Sequence, residues 1–218
     1  MAINIAIDGP SASGKSSLAR ELCKVLGYVH LDTGAMYRCV ALKCLLNNID
    51  TDNQKALEEL FDNIKIELLA SGKTLLDGKD VSNEIRTDII SQEASKVSAI
   101  PYVRTRLVKL QQEMAKEKGF IMDGRDICSV VLPNAEAKFF VTASVKARAQ
   151  RRYLENLKRG FESNIDEIEK EIAERDYRDS HRDASPLMQT EDAILLDTSD
   201  LTLAEVVEVA LKTIREKL

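Results

Sequence analysis

Short apolar runs alternate along this chain with segments whose apolar residues recur at helical spacing. Five runs rich in Ile, Val, Leu and Phe are predicted strands: Ile3 to Ile7, Tyr28 to Leu31, Phe120 to Met122, Ala137 to Val141 and Ala193 to Leu196. A repeated order of strand, helix and strand is typical of a parallel sheet covered by helices. We therefore predict an α/β fold.

Two of the predicted helices carry clear end signals. The apolar stripe of the first consists of Leu18, Leu22, Val25 and Leu26. Gly27 is placed to end that helix. Near the carboxyl end, Thr202 and Glu205 form a capping-box pattern ahead of a second stripe. That stripe consists of Val206, Val207, Ala210, Leu211 and Ile214.

The segment from Ile64 to Val81 breaks this rhythm. It reads IKIELL, a turn ASGK, and then TLLDGKDV, which is the pattern of a β-hairpin. We predict a small lid-like insert here, within a single domain that spans residues 1–218. No repeat, low-complexity tract or Pro/Gly-rich linker in the sequence indicates a second independent domain.

The composition narrows the class of protein. The chain has 218 residues, 44% of them hydrophobic, and can bury one sizeable core. Its formal net charge of -5 argues against a protein that coats nucleic acid, because phosphate backbones are bound by surplus Lys and Arg. The amino terminus shows no basic leader, and no segment has the roughly 20 apolar residues of a membrane span. We expect a cytoplasmic monomer without membrane or nucleic-acid partners.

The thiols and imidazoles of the sequence suggest no chemistry of their own. The cysteines are Cys23, Cys39, Cys44 and Cys128. They lack CxxC spacing and a nearby histidine set, so we expect reduced, partly buried thiols. His30 and His181 are isolated, and we expect both to be structural or solvent-facing.

One loop has the pattern of a phosphate-binding loop. Residues 9–16 read GPSASGKS, which matches GxxxxGK[ST] between a predicted strand and a predicted helix. Inward-facing N–H groups and the positive end of a helix dipole would hold the phosphates of a nucleoside triphosphate. Lys15 would reach the β- and γ-phosphates, and the Ser16 hydroxyl would be a ligand of Mg²⁺. The residues predicted to bind this nucleotide are Gly9, Pro10, Ser11, Ala12, Ser13, Gly14, Lys15, Ser16 and Ser17.

A second anion site is expected if phosphate passes to another molecule, and arginines supply its candidates. They are Arg38, Arg125, Arg148, Arg151, Arg152, Arg159, Arg175, Arg178 and Arg182. Ligands of parallel sheets bind beyond the carboxyl ends of the strands, so residues 32–38 and 123–126 should border the same crevice as the loop. Arg175, Asp179 and Arg182 are spaced to share one helical face. A solvated helix with ion pairs is equally compatible with that spacing.

Six motifs, in this order and spacing, resemble bacterial cytidylate kinases. They are GPSASGKSS, LDTGAMYR, VSNEIR after the insert, SKVSAIPYVR, DGRD and ERDYRDSHR, and together they cover nearly the whole chain. The resemblance implies an enzyme that uses ATP and Mg²⁺ to convert CMP or dCMP to the diphosphate. It also implies a P-loop fold with a five-stranded parallel sheet flanked by helices, a nucleotide-binding insert at about 60–100 and a helical lid at about 146–180.

The same resemblance implies roles for individual residues. Around the acceptor phosphate it places Arg38, Arg125, Arg175 and Arg182. At the cytosine ring it places Ser95, Arg104 and Asp126. Near the sugar it places Tyr37 and Asp179, and Thr33 completes the predicted CMP-binding set.

The chemistry of cytosine suits the residues at the ring. Asp126 can accept a hydrogen bond from the 4-amino group, while Arg104 and Ser95 donate to the ring acceptors. Uracil would present an acceptor to the Asp126 carboxylate, a mismatch that costs about 1–3 kcal/mol. We therefore expect selectivity for cytosine over uracil.

The predicted mechanism needs no general base, because the acceptor phosphate is already anionic at pH 7. We expect the segment from Arg148 to Arg159 to close over ATP and to bring one or more of Arg148, Arg151 and Arg152 to the transferring group. The catalytic candidates are Lys15, Arg125 and Arg152.

Two departures from the family pattern stand out. Ile-Gly-Thr usually follows DGRD, whereas this chain has Cys128 and Ser129 in the last two positions. A glycine replaced by Cys128 matters if the loop needs a positive φ there. The loop at 9–17 ends in Ser17, where a threonine is common, and the hydroxyl is kept.

Three other interpretations compete with this one, the nearest being a P-loop kinase that acts on another nucleoside monophosphate. A kinase that phosphorylates an alcohol, of the shikimate-kinase kind, would need a base, and Asp32 or Asp123 could be offered. A non-catalytic nucleotide switch would show a guanine-specifying NKxD motif, which the sequence lacks. The insert and the arginines favour a phosphorylated acceptor.

Overall fold

Eight strands and eight α-helices form the chain in the computed structural model, which describes residues 2–69, 71–158 and 160–217. The strands are β1 (Ile5–Asp8), β2 (Val29–Asp32), β3 (Ile66–Leu68), β4 (Thr74–Leu76), β5 (Lys79–Asp80), β6 (Phe120–Gly124), β7 (Ala137–Thr142) and β8 (Ile194–Asp197). The α-helices are α1 (Lys15–Leu26), α2 (Thr33–Leu46), α3 (Gln54–Asn63), α4 (Asp88–Val97), α5 (Pro101–Met114), α6 (Val145–Lys158), α7 (Ile165–His181) and α8 (Leu203–Arg215).

The central sheet has the order β2-β6-β1-β7-β8, and all of its pairs are parallel. This confirms the predicted α/β fold with a five-stranded parallel sheet. The strand ends were predicted one or two residues too early. Asp8 pairs with Gly124, and Asp32 pairs with Asp123, so these carboxylates belong to the last ladder positions rather than to loops.

Alternation along β1 divides the core between the two faces of the sheet. Ile5 and Ile7 pack on the side of α1 and α8, while Ala6 packs with Met122 on the opposite side. This is the period of two that a strand imposes on its side chains. Because both faces of the sheet are packed, the carboxyl ends of its strands are held together at one edge.

The helix ends follow the predicted signals. Gly27 has φ 70° and donates its backbone N–H to Cys23, ending α1, and Thr202 and Glu205 form the predicted capping box of α8. The predicted stripe of α1 is wrong at Val25, which is 57% exposed. Leu18 and Leu22 suffice to anchor the helix on the sheet.

The insert contains a three-stranded antiparallel sheet, β3-β4-β5, rather than a simple hairpin. Asp77 and Gly78 have φ of 52° and 80°, and this tight turn adds β5 after β4. Leu76 and Val81 pack into a core shared with α2, α4 and α5. The predicted turn before β4 includes Ala70, which lies outside the described residues.

Helices α6 and α7 pack on each other through Ala149, Ile168 and Ile172. They occupy the region predicted as a lid, although Arg159 between them lies outside the described residues. In the part of the chain that the structure describes, no helix is long and apolar enough to cross a membrane.

Candidate functional site

A cavity of about 330 Å³ opens where the carboxyl ends of β1, β2 and β6 meet. Most of the predicted site residues lie on its wall: Ser11, Ala12, Ser13, Gly14, Lys15, Ser16, Ser17, Thr33, Tyr37, Arg38, Arg104, Arg125, Asp126, Arg152, Arg175, Asp179 and Arg182. The predicted residues Gly9, Pro10 and Ser95 are not on the wall. The two predicted anion sites therefore share one cavity.

The loop between β1 and α1 depends on glycine at two places. Gly9 has φ 148°, and a Cβ there would lie 1.9 Å from the backbone oxygen of Val141 on β7. Gly14 has φ 96° and caps α1, which begins at Lys15. The start of this helix lines the cavity, which is where an anion site at a helix N-terminus would lie.

Lys15 is buried on the cavity wall. Its Nζ donates to the backbone oxygen of Pro10 at 2.6 Å and to Ser13 Oγ at 3.3 Å. Burial, followed by the nearby Arg125 guanidinium, lowers the pKa of Lys15 well below its ordinary value. Negative charge beside Lys15 would oppose that shift, which suits the site to phosphate.

Ser16 is joined to two residues that the sequence reading did not connect with it. Its Oγ donates to Asp123 Oδ2 at 2.6 Å, and His30 Nε2 lies 2.6 Å from Asp123 Oδ1. His30 is thus isolated in the sequence only, and its bond to Asp123 fits the expected structural role. Burial would raise the pKa of Asp123, but the hydrogen bond and charge of His30, the bond from Ser16 and the charge of Lys15 hold that pKa below its usual range.

The arginines meet around one carboxylate. Arg125 Nε donates to Asp179 Oδ2 at 2.8 Å, and Arg175 Nε lies 3.9 Å from the same oxygen. Of the three residues predicted to share one helical face, only Arg175 and Asp179 lie on a helix. Because α7 ends at His181, Arg182 has extended backbone, and its Nε donates to the backbone oxygen of Ser185 at 2.8 Å.

Several buried polar atoms on this cavity have no hydrogen-bond partner among the described residues. They are Nε of Arg38, Arg104 and Arg175, Nη2 of Arg182 and the hydroxyl of Tyr37. Buried polar groups are normally satisfied. Burial also lowers the pKa of Arg38, Arg175 and Arg182, as is expected of cations crowded together out of water. The cavity is thus equipped for an anionic ligand.

One end of the cavity carries a different set of contacts. Arg104 Nη2 forms an ion pair with Asp126, its Nη1 donates to the backbone oxygen of Ser98 at 2.9 Å, and its guanidinium lies 5.6 Å from the centre of the Tyr37 ring. Burial raises the pKa of the Tyr37 hydroxyl to about 12, so that group is a neutral donor at pH 7. Ser95, on α4, is buried behind this end, and its Oγ has no described partner.

Known proteins match this chain over nearly its full length. The family described as cytidylate kinase matches residues 5–216. A cytidylate kinase of Ligilactobacillus salivarius is 48% identical over 99% of this chain and 97% of its own. One of Caldicellulosiruptor saccharolyticus is 48% identical over 96% of this chain and 94% of its own. The chain belongs to the cytidylate kinase family. It is thus an enzyme of the nucleoside monophosphate kinase class, which confirms the family predicted from the motifs.

Solved structures support the fold of this cytidylate kinase family member. A shikimate kinase from Acinetobacter baumannii, solved with shikimate, has a TM-score of 0.50 and 15% identity, covering 99% of this chain and 94% of that one. A protein from Eubacterium ventriosum described as uncharacterized has a TM-score of 0.54 and 13% identity, covering 98% of each chain. At such identities the likeness shows the P-loop kinase fold alone.

Cys128, the departure from the cytidylate kinase pattern, lies in a π-helical turn at Ile127–Val131. It is not among the described residues with positive φ, so the backbone there does not call for glycine. Asp8 accepts the backbone N–H groups of Ile127 at 2.9 Å and Cys128 at 2.7 Å. Burial raises the pKa of Asp8 to about 6, and these two bonds oppose that shift. The sequence reading missed this role of Asp8.

The three arginines of α6 have different surroundings. Arg148 is buried and pairs with Asp176 at 2.5 Å, and it is not on the cavity wall. Arg151 lies on the wall, where its Nη1 donates to Thr198 Oγ1 at 2.9 Å. Arg152 also lies on the wall, where its Nη1 is 3.9 Å from Glu155 Oε2. Arg148 therefore links α7 to the loop after β1, where its Nη1 also donates to the backbone oxygen of Ser11 at 3.2 Å, and Arg152 stays the catalytic candidate among the three.

Proposed function

We propose that this enzyme transfers the γ-phosphoryl group of ATP to CMP or dCMP and releases ADP with CDP or dCDP. The observation that carries the proposal is the shared cavity, in which the loop at 9–17 faces buried, incompletely bonded guanidinium groups. The phosphates of the donor and of the acceptor would meet in this cavity, aligned for in-line transfer. This is the specific reaction that we propose for this member of the cytidylate kinase family.

The donor would bind against the loop at 9–17. Lys15, which lines the cavity, would contact the β- and γ-phosphates, and the backbone N–H groups at the start of α1 would hold the phosphate oxygens. Ser16 and Asp123 present hard oxygen atoms side by side, which fits Mg²⁺ shared with ATP and water. When bound, Mg²⁺ supplies positive charge that offsets the charge of the phosphates.

The acceptor phosphate would bind among Arg38, Arg125, Arg175 and Arg182. Asp179 accepts a hydrogen bond from Arg125 and attracts the charge of the nearby Arg175, so the Arg125 guanidinium is oriented before the substrate arrives. The phosphate needs no deprotonation by a base. Asp123 accepts from Ser16, and Asp32 accepts the backbone N–H of Ala35 at 3.0 Å, so neither resembles a base aimed at an alcohol.

The base of the acceptor would lie against Asp126, Arg104 and the Tyr37 ring. The Asp126 carboxylate can accept the 4-amino group of cytosine, whereas uracil would face it with a carbonyl oxygen. Ser95 would contribute to the base site from α4. This helix belongs to the segment at about residues 60–100, which we propose as the monophosphate-binding insert. Closure of the lid at about 146–180 would bring Arg152 to the transferring group and exclude water.

A coupled assay of ADP release tests this function. Purified enzyme receives ATP and Mg²⁺ with CMP, dCMP, UMP, AMP or shikimate, and a reaction without acceptor measures ATP hydrolysis. We expect fast turnover with CMP and dCMP, slow turnover with UMP, and background with shikimate. Turnover of AMP without turnover of CMP would contradict the proposal.

A further inference from the structure

His30 lies on β2 and reaches a carboxylate of the neighbouring strand β6. Its Nε2 is 2.6 Å from Asp123 Oδ1, while Asp123 Oδ2 accepts the Ser16 hydroxyl at 2.6 Å. The two bonds hold both oxygens of one carboxylate. Three residues distant in sequence thus form one chain of hydrogen bonds that ends at the phosphate loop.

The direction of these bonds follows from the chemistry of an ionised carboxylate, which only accepts. His30 therefore donates through Nε2–H, and Ser16 donates its hydroxyl proton. The lone pairs of Ser16 Oγ are left for a ligand on the cavity side. A hydroxyl that binds a cation needs this arrangement, because the cation takes the lone pairs and repels the proton.

We propose that His30 is a positioning residue for the divalent cation that accompanies ATP. It locks the rotation of the Asp123 carboxylate, and through Asp123 it sets the direction of the Ser16 hydroxyl. This inference rests on the proposed function, in which Ser16 is a ligand of Mg²⁺. Partners that orient metal ligands in this way typically change metal affinity about 10-fold to 100-fold when removed.

The surroundings of His30 favour an orienting role over a packing role. Its side chain is 17% exposed, and the ring lines a second cavity of about 410 Å³ between α1, β2 and the insert. The ring is therefore not enclosed by apolar core on every side. Its shortest polar contact is the bond to Asp123.

Two variants separate orientation from packing. His30→Leu keeps similar bulk and removes the donor, whereas His30→Gln keeps an N–H donor that can reach Asp123. His181→Leu, on the exposed end of α7, is the matched control. Metal binding is read without catalysis, from the electron paramagnetic resonance signal of free Mn²⁺ titrated in the presence of ADP.

We expect His30→Leu to weaken Mn²⁺ binding about 10-fold, with His30→Gln within about 3-fold of the unchanged protein. ADP affinity without metal should change less than 2-fold. In steady-state assays, the Mg²⁺ concentration for half-maximal rate should rise in parallel, with the KM for CMP unchanged. Equal Mn²⁺ affinity in His30→Leu and the unchanged protein would overturn the inference.

The unchanged protein supplies a measurement that needs no variant. In a long-range ¹H–¹⁵N spectrum, His30 should carry a proton on Nε2, and an unprotonated Nε2 would also overturn the inference. Failure of the proposed function gives a different result. If the unchanged enzyme transfers phosphate equally well without a divalent cation, the assignment of Mg²⁺ to Ser16 falls, whatever the variants do.

Discussion

Arg125 Nε donates a 2.8 Å hydrogen bond to Asp179 Oδ2, which ties the end of β6 to the last turn of α7. Arg175 lies 3.9 Å from the same oxygen. The Arg125 and Arg175 guanidiniums would repel each other without that carboxylate, since burial leaves little water to screen them. Asp179 therefore holds together a site that must later accept a phosphate.

Replacing Asp179 by Asn tests this relationship. The change leaves two half-buried guanidiniums without their carboxylate, so we expect the free energy of unfolding to fall by about 2 kcal/mol. We expect kcat/KM for CMP to fall about 10-fold to 100-fold, because Arg125 loses the bond that orients it. Urea denaturation and steady-state kinetics measure the two effects.

Asp183→Asn is the control for Asp179→Asn, since Asp183 is exposed four residues further along. It should leave both stability and kcat/KM within error of the unchanged protein. Equal stability of the Asp179→Asn variant would show that its carboxylate does not hold the arginines.

Lys15 should be costly for stability and essential for catalysis. It is buried, and burial together with Arg125 lowers its pKa, so the folded state disfavours its charge. We expect Lys15→Met to leave the melting temperature unchanged or to raise it, and to lower kcat at least about 10²-fold. Lys24→Met, on the exposed side of the same helix, should change neither quantity. Near-normal turnover by Lys15→Met would contradict its assignment to the phosphates of ATP.

Local patterns predicted the parts of the fold whose causes are local. The turn that leads into α1, the end of α1 at Gly27 and the capping box of α8 each depend on residues close in sequence, and the structure confirms all three as local structure. The five strands were also found, because buried parallel strands are short apolar runs. Their ends were misplaced because Asp8 and Asp32 look like loop residues until pairing with β6 is known.

The missed features depend on partners that are distant in the chain. His30 meets Asp123 across 93 residues, and Asp8 meets Cys128 across 120 residues. Periodicity carries no information about such contacts. Arg182 was placed on a helical face because its spacing continues α7, but the helix ends one residue earlier. Nothing in the sequence distinguishes Arg148 from Arg151 and Arg152, because its pairing with Asp176 joins two different helices.

Asp126 should decide the choice between cytosine and uracil. Its carboxylate lies at the cavity end beside Arg104 and the Tyr37 ring. In Asp126→Asn, an amide can face either an acceptor or a donor, so the mismatch of about 1–3 kcal/mol against uracil should disappear. We expect the ratio of kcat/KM for CMP over UMP to fall about 10-fold or more.

The matched comparison for base selection is Asp179→Asn. That variant should lower kcat/KM for CMP and UMP together, because Asp179 supports the phosphate end of the acceptor. An unchanged ratio in Asp126→Asn would remove Asp126 from base recognition.

Cys128 replaces a glycine of the family pattern, and the structure predicts that restoring glycine is harmful. The Cys128 side chain is 1% exposed, packs in the core beside Met122 and lies on a backbone without positive φ. Cys128→Gly should lower the free energy of unfolding by about 2 kcal/mol, through lost burial and greater freedom of the unfolded chain. Cys128→Ala should lower it by about half as much, because it removes the thiol but keeps the backbone restricted.

Kinetic constants for CMP should stay within about 3-fold in both variants, since Asp8 still accepts both backbone N–H groups. A Cys128→Gly variant more stable than the unchanged protein in urea denaturation would show that the loop is strained by its side chain.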